Sequence, residues 1–169
     1  MAHKRVIYIS STYVDLKDHR ATLKVALEKA QYEVESMEKY PAFDERPLDK
    51  CRGDVAKAHV YVLLVAHRYG SRPREGNPER KSITHLEYEE AVRHKGKPRL
   101  VFTVKPNYAW SPEWIDKEGD DARDLEAFRA AVKERHGVNQ FTAPDQLACV
   151  VPLVDPLRAP GVVGVYGEN

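Results

Sequence analysis

Apolar and polar positions alternate along the chain in blocks of two distinct periods. Residues 5–10 (RVIYIS) and 60–66 (VYVLLVA) are short, nearly unbroken apolar runs rich in β-branched and aromatic side chains. Such runs are expected of strands covered on both faces of a sheet. Between and after them the period lengthens. Leu16, Leu23, Leu27 and Ala30 recur on one stripe and predict a helix over residues 14–31. Residues 33–37 alternate and read as a short edge strand. Pro47 opens a second helix carrying Leu48, Cys51 and Val55 and ending near Lys57.

After the run at 60–66, the polar loop 67–81 leads to Ser82, a good N-cap for a third helix stopped by Gly96 and Pro98. A strand over residues 99–104, a helix over 122–135 and a strand over 138–141 follow, and then a helix from Pro144 towards Leu157 disturbed by Pro152. Trp110 and Trp114, between the fourth strand and its helix, are expected to pack over the sheet or a helix. Strand and helix alternate five times. This predicts an α/β fold, a five-stranded parallel doubly wound sandwich with the flavodoxin-like strand order 2-1-3-4-5. The domain spans residues 1–157. Residues 158–169 form a tail with one further strand pattern, read either as a native end or as the start of a truncated following domain.

Composition changes this picture little. The chain has 169 residues, 42% apolar and 31% charged, with a net charge of +1. That fits a single globular domain and gives no global field for nucleic acid. No run reaches the roughly 18 apolar residues of a membrane span, and the N-terminus has no apolar signal segment. A cytoplasmic location is the expectation, with no membrane partner. Cys51 and Cys149 lack metal-ligand spacing and are expected to be buried reduced thiols. No metal site or bound cofactor is expected.

Candidate chemistry gathers at the predicted C-terminal ends of the first and third strands, where the order switches direction and ligands bind in such sheets. Ser10, Ser11 and Thr12 follow the first strand and either cap the next helix or meet a ligand. Asp44 lies three residues before Pro47 and either orders that turn or contacts a ribose or substrate. Arg68, Tyr69 and Gly70 open the loop after the third strand, whose net positive charge would either attract phosphate or remain solvated. Ser82 and Thr84 stand at a helix N-terminus, which favours anions. Glu87 falls on the inward stripe of that helix with Ile83, Leu86 and Ala91. A carboxylate there is costly unless paired or facing a cavity, so Glu87 is either a buried ion pair, for instance with Arg20 or Arg68, or a site residue. Arg20 shares the first helix's apolar stripe and either snorkels from the core edge or reaches a carboxylate.

The segments RVIYISSTYVDLKDHR, MEKYPAFDERPLDKCRGDVAKAHVYVLLVAHRYGS and SITHLEYEEA resemble the domain of unknown function 4062 family, over about residues 4–150. That family is regarded as TIR-like (Toll/interleukin-1 receptor-like) and related in fold to nucleoside 2-deoxyribosyltransferases. The resemblance implies a signalling or effector domain from an innate-immune or anti-phage protein. Its partners would be C-terminal NTPase and sensor domains and, on activation, further copies of itself. It also implies that Glu87 handles a ribose during N-glycosidic cleavage, with NAD as a candidate substrate. Ser10, Ser11, Thr12, Tyr69, Gly70, Ser82 and Thr84 would line the pocket, and Asp44 would lie in the assembly loop. The Trp-Cys pair that precedes the glutamate in classical TIR domains is replaced here by His85-Leu86. The competing expectation is a non-catalytic interaction and self-assembly module.

Overall fold

The computed structural model describes residues 4–36 and 48–154. The expectations for Asp44, for Pro47 as the opening of the second helix, for residue 37 and for the tail at 158–169 lie outside these residues. The elements are β1 (Val6–Ser10), α1 (Lys17–Lys29), β2 (Glu33–Glu35), α2 (Leu48–Lys57), β3 (Val60–Val65), α3 (Ile83–Arg93), β4 (Arg99–Val104), α4 (Gly119–Arg135), β5 (Val138–Phe141) and α5 (Val150–Val154). The five strands form one parallel sheet in the order β2-β1-β3-β4-β5, as the alternation of periods predicts.

The two-residue period of a strand sorts its side chains between two cores. Ile7 and Ile9 of β1, with Val60, Val62 and Leu64 of β3 and Phe102 and Val104 of β4, pack against Leu16, Leu23 and Leu27 of α1 and its surroundings and against Val150 and Val154 of α5. The alternate residues Tyr8, Tyr61, Leu63, Val65 and Val101 pack against Val55 of α2, Tyr88 and Ala91 of α3, and Leu125, Phe128 and Val132 of α4. β3 lies at the centre and is buried along its whole length, which is why it reads as an uninterrupted apolar run. Each of its large aliphatic side chains contributes on the order of 1.5–3 kcal/mol by leaving water. Among the described residues, no helix is long and apolar enough to cross a membrane.

The structure departs from the sequence pattern in a few places. The hydroxyls of residues 10–12 do not cap α1. Residues 13–16 make a turn first, with the Leu16 N–H donating to the Tyr13 carbonyl, and the helix begins at Lys17 after Leu16, an N-cap position with no side-chain hydrogen bond. The single helix expected from Pro144 is a 3-10 turn over Pro144–Cys149 followed by the short α5. Pro152 is tolerated there because it lies in the first turn, where its missing N–H has no partner to lose. The tighter winding of the 3-10 turn points Leu147 inward and leaves Cys149 exposed, so only Cys51 is a buried thiol. Ile83 is half-buried and Ala131 exposed, whereas Tyr88 takes an inward position on α3.

Candidate functional site

The β2-β1-β3 order puts the switch point between β1 and β3, and α3 crosses the sheet beside it. β1 points Tyr8 and Ser10, two residues apart, to the α3 face. α3 points Glu87 back at them. The Tyr8 hydroxyl donates to Glu87 Oε1 at 2.7 Å and the Ser10 hydroxyl donates to Oε2 at 2.5 Å. Glu87 is 2% exposed. Burying a carboxylate is expensive unless donors meet it, and here each oxygen has one. Tyr61, the register partner of Tyr8 across β1 and β3, stacks on Tyr8 with ring centres 6.2 Å apart. Full burial, and secondarily the negative Glu87 nearby, hold the Tyr61 phenol well above its ordinary pKa, so it stays a neutral hydroxyl beside the carboxylate.

The three hydroxyls after β1 have three different roles. Ser10 serves Glu87. Ser11 faces α1, where its oxygen accepts from Arg20 Nη1 at 2.6 Å and its proton goes to the Thr12 carbonyl at 2.6 Å. Arg20 is itself 2% exposed, so it does not snorkel to the surface. Thr12 is buried, and its Oγ1 makes no hydrogen bond.

Gly70 draws the next part of the site together. Its φ of +96° is a left-handed conformation that glycine adopts without strain. A Cβ there would stand 3.0 Å from Thr12 Cγ2, 3.8 Å from Ser82 Cβ and 3.9 Å from Thr84 Oγ1. The chain thus passes so close to Thr12 that a larger residue would push it away. Ser82 caps α3 by accepting from the His85 N–H at 3.2 Å. Thr84 stands one turn before Glu87 on the same helix.

Arg68 and Tyr69 stand at the edge of this group, Arg68 in the field of Asp15 and Tyr69 beside Ser82. Arg68 lies over the Trp114 ring, 5.5 Å from its centre. The Tyr69 hydroxyl shares a 2.9 Å hydrogen bond with His85 Nδ1, and its ring lies under Arg72. The basic loop is a braced structure. Arg72 donates to Asp121 at 2.6 Å and Asp124 at 3.0 Å, and also to the Arg80 carbonyl. Asn77 bridges the Pro73 and Lys81 carbonyls and accepts from the Lys81 N–H. Lys81 pairs with Glu79 and Glu89. Arg72 and Lys81 are therefore already neutralised by carboxylates of this chain.

The sequence pattern missed Asp15 and the two tyrosines. Tyr8 was legible in principle, because it shares a strand face with Ser10. Asp15, in the turn before α1, has both carboxylate oxygens buried without a hydrogen bond. Burial raises its pKa above 3.8. The nearby Thr12 side chain, its own N–H and the charge of Arg68 pull the other way, and Asp116 adds to the rise. His67 stands in the field of Asp15 and against Trp110, which in turn meets His19, itself edge-on to Phe141, so Trp110 does pack against the core at the sheet end.

A surface depression of about 370 Å³ lined by Lys4, Glu28, Tyr32, Glu33 and Val34 lies at the opposite end of the sheet from Glu87. It carries none of the groups assembled at the switch point.

No curated protein matches the chain. The model of the domain of unknown function 4062 family matches residues 6–151, which include every element from β1 to the start of α5, and the chain belongs to that family.

Proposed function

We propose that this chain is a TIR-like signalling or effector module whose Glu87 site binds or cleaves a nucleotide, with NAD as the first candidate. The supporting observation is the carboxylate itself. Glu87 stands at the switch point of a parallel sheet, with one hydroxyl donor on each oxygen. That holds a negative charge in a fixed place, as stabilisation of an oxocarbenium-like ribosyl centre requires. In NAD cleavage the C1′–N bond breaks, nicotinamide leaves with the bonding electron pair, and water adds to C1′ with loss of a proton. Glu87 faces the developing positive charge. Because Glu87 is 2% exposed, contact with substrate requires the surrounding chain to open.

The same low exposure supports a second reading, a non-catalytic module that self-assembles or recruits partners, with Glu87 as an internal brace. Further copies of the chain and C-terminal NTPase or sensor domains would be the partners in either case. One experiment separates the two. Nicotinamide release from NAD is measured with the protein dilute and artificially clustered, beside Glu87→Gln. Release that disappears in Glu87→Gln, with an unchanged circular dichroism spectrum, supports the effector. Absence of release in both states, with assembly intact in Glu87→Gln, supports the interaction module.

A further inference from the structure

The most exceptional polar groups in the described residues are those that Glu87 does not use. Asp15 Oδ1, Asp15 Oδ2 and Thr12 Oγ1 are all buried and none makes a hydrogen bond. Thr12 is 9% exposed. A carboxylate out of water with no donor on either oxygen is rare, because its desolvation goes uncompensated. Such a group in a native fold calls for a reason. The two residues are close enough for the Thr12 side chain to favour the charged form of Asp15, although the pair does not reach hydrogen-bond geometry.

The chemistry of this corner narrows what it takes. A carboxylate accepts and does not donate, so its complement is a group with two donors. A metal ion is disfavoured: among the described residues no three His, Cys, Asp or Glu side chains are grouped to hold one. A cationic ligand is disfavoured too, because the positive charge of Arg68 already acts on Asp15. A neutral pair of donors remains. Thr12, which both donates and accepts, suits hydroxyls better than a purely donating amine. Thr12 also connects this corner to Glu87. Thr12 and Thr84 both lie within 4 Å of the position a Gly70 Cβ would occupy, and Thr84 is one helical turn from Glu87.

We propose that Asp15 and Thr12 form a subsite for the vicinal 2′,3′-diol of a ribosyl group, on the same crevice as Glu87. The assignment rests on the nucleotide reading of Glu87 and deepens it: Asp15 accepts from both hydroxyls, Thr12 hydrogen-bonds one of them, and Glu87 is left to face the anomeric carbon. The ligand class is then a ribonucleoside or ribonucleotide, and deoxy sugars are rejected.

The test is a binding experiment by saturation-transfer NMR and calorimetry. The probes are AMP, 2′,3′-dideoxyadenosine monophosphate and inosine monophosphate. The proteins are the wild-type chain, Asp15→Asn, Thr12→Val and Glu87→Gln, each checked for fold by thermal melting. AMP should bind wild type, and the dideoxy probe should bind wild type about tenfold or more weakly. In Asp15→Asn that discrimination should collapse towards onefold, which a merely structural role of Asp15 would not produce. Equal binding of AMP and the dideoxy probe to wild type overturns the diol assignment while leaving the Glu87 reading standing. Discrimination between AMP and inosine monophosphate, without sensitivity to the diol, also overturns it and assigns the corner to a base edge. Failure of all three probes to bind wild type overturns both. Diol-dependent binding without nicotinamide release supports the subsite and removes only the cleavage step.

Discussion

Two carboxylates near the C-terminal end of the same sheet have opposite surroundings. Glu87 is held by Tyr8 and Ser10, one hydroxyl on each oxygen. Both oxygens of Asp15 are buried, and neither is met in full hydrogen-bond geometry, although the Thr12 side chain and the Asp15 N–H lie nearby. The first arrangement fixes a charge where the fold needs or uses it. The second leaves a cost in the fold that internal contacts do not offset. A buried carboxylate by itself therefore says little about function; what distinguishes the two is whether the protein has supplied the donors.

The comparison can be broken most forcefully at Glu87. Glu87→Ala strands two buried hydroxyls and opens a void, and should destabilise the protein by about 3 kcal/mol in urea unfolding. A loss under 1 kcal/mol would mean that the Glu87 nest is not a supporting element. Tyr8→Phe removes one 2.7 Å bond to a charged acceptor and keeps the ring stacked on Tyr61. Its expected cost is about 1.5–3 kcal/mol by the same measurement. Thr12→Val, in the other region, removes a buried hydroxyl that bonds to nothing and should change stability by less than about 0.5 kcal/mol.

Asp15→Asn should go the other way and raise stability at pH 7 by about 0.5–1 kcal/mol, read as a small rise in Tm. The sign follows from burial, which raises the folded-state pKa of Asp15 above 3.8. The neutral form is the one the fold prefers. Its stabilising contribution is complete below the unfolded value and is lost as pH rises through the folded value. The advantage of Asn over Asp should therefore shrink as pH falls towards 3.8. A pH-independent difference would show that charge at Asp15 is not what the fold resists.

Much of the architecture was legible because the driving force is periodic. Strands covered on both faces leave uninterrupted apolar runs, helices leave stripes, and right-handed crossovers restrict the order of the sheet. β4 and β5 match their predicted bounds at both ends. Glu87 stood out because a charge on an apolar stripe breaks the pattern. Ser10 was found as one of three adjacent hydroxyls, yet nothing local distinguished it from Ser11, whose opposite direction comes from strand alternation and the position of Arg20. The basic loop read either as attracting phosphate or as solvated, because its partners Asp121 and Asp124 are some fifty residues from Arg72 in the chain. Asp15 carried no signal, since an aspartate before a helix is ordinarily a solvated turn residue.

The amino-acid sequence by itself determined the alternation of strands and helices, the central place of β3 and the inward placing of Leu86, Glu87 and Ala91 on α3, because burial of apolar surface is written in local spacing. Tertiary structure alone decided which donors meet which acceptors. Tyr8 and Ser10 reach Glu87 across nearly eighty residues. Asp15 is buried in the turn before α1 with the nearby Thr12 side chain and its own N–H short of hydrogen-bond geometry. Hydrogen bonds are directional and extend about 3 Å, so they are settled only when distant segments have been packed into register.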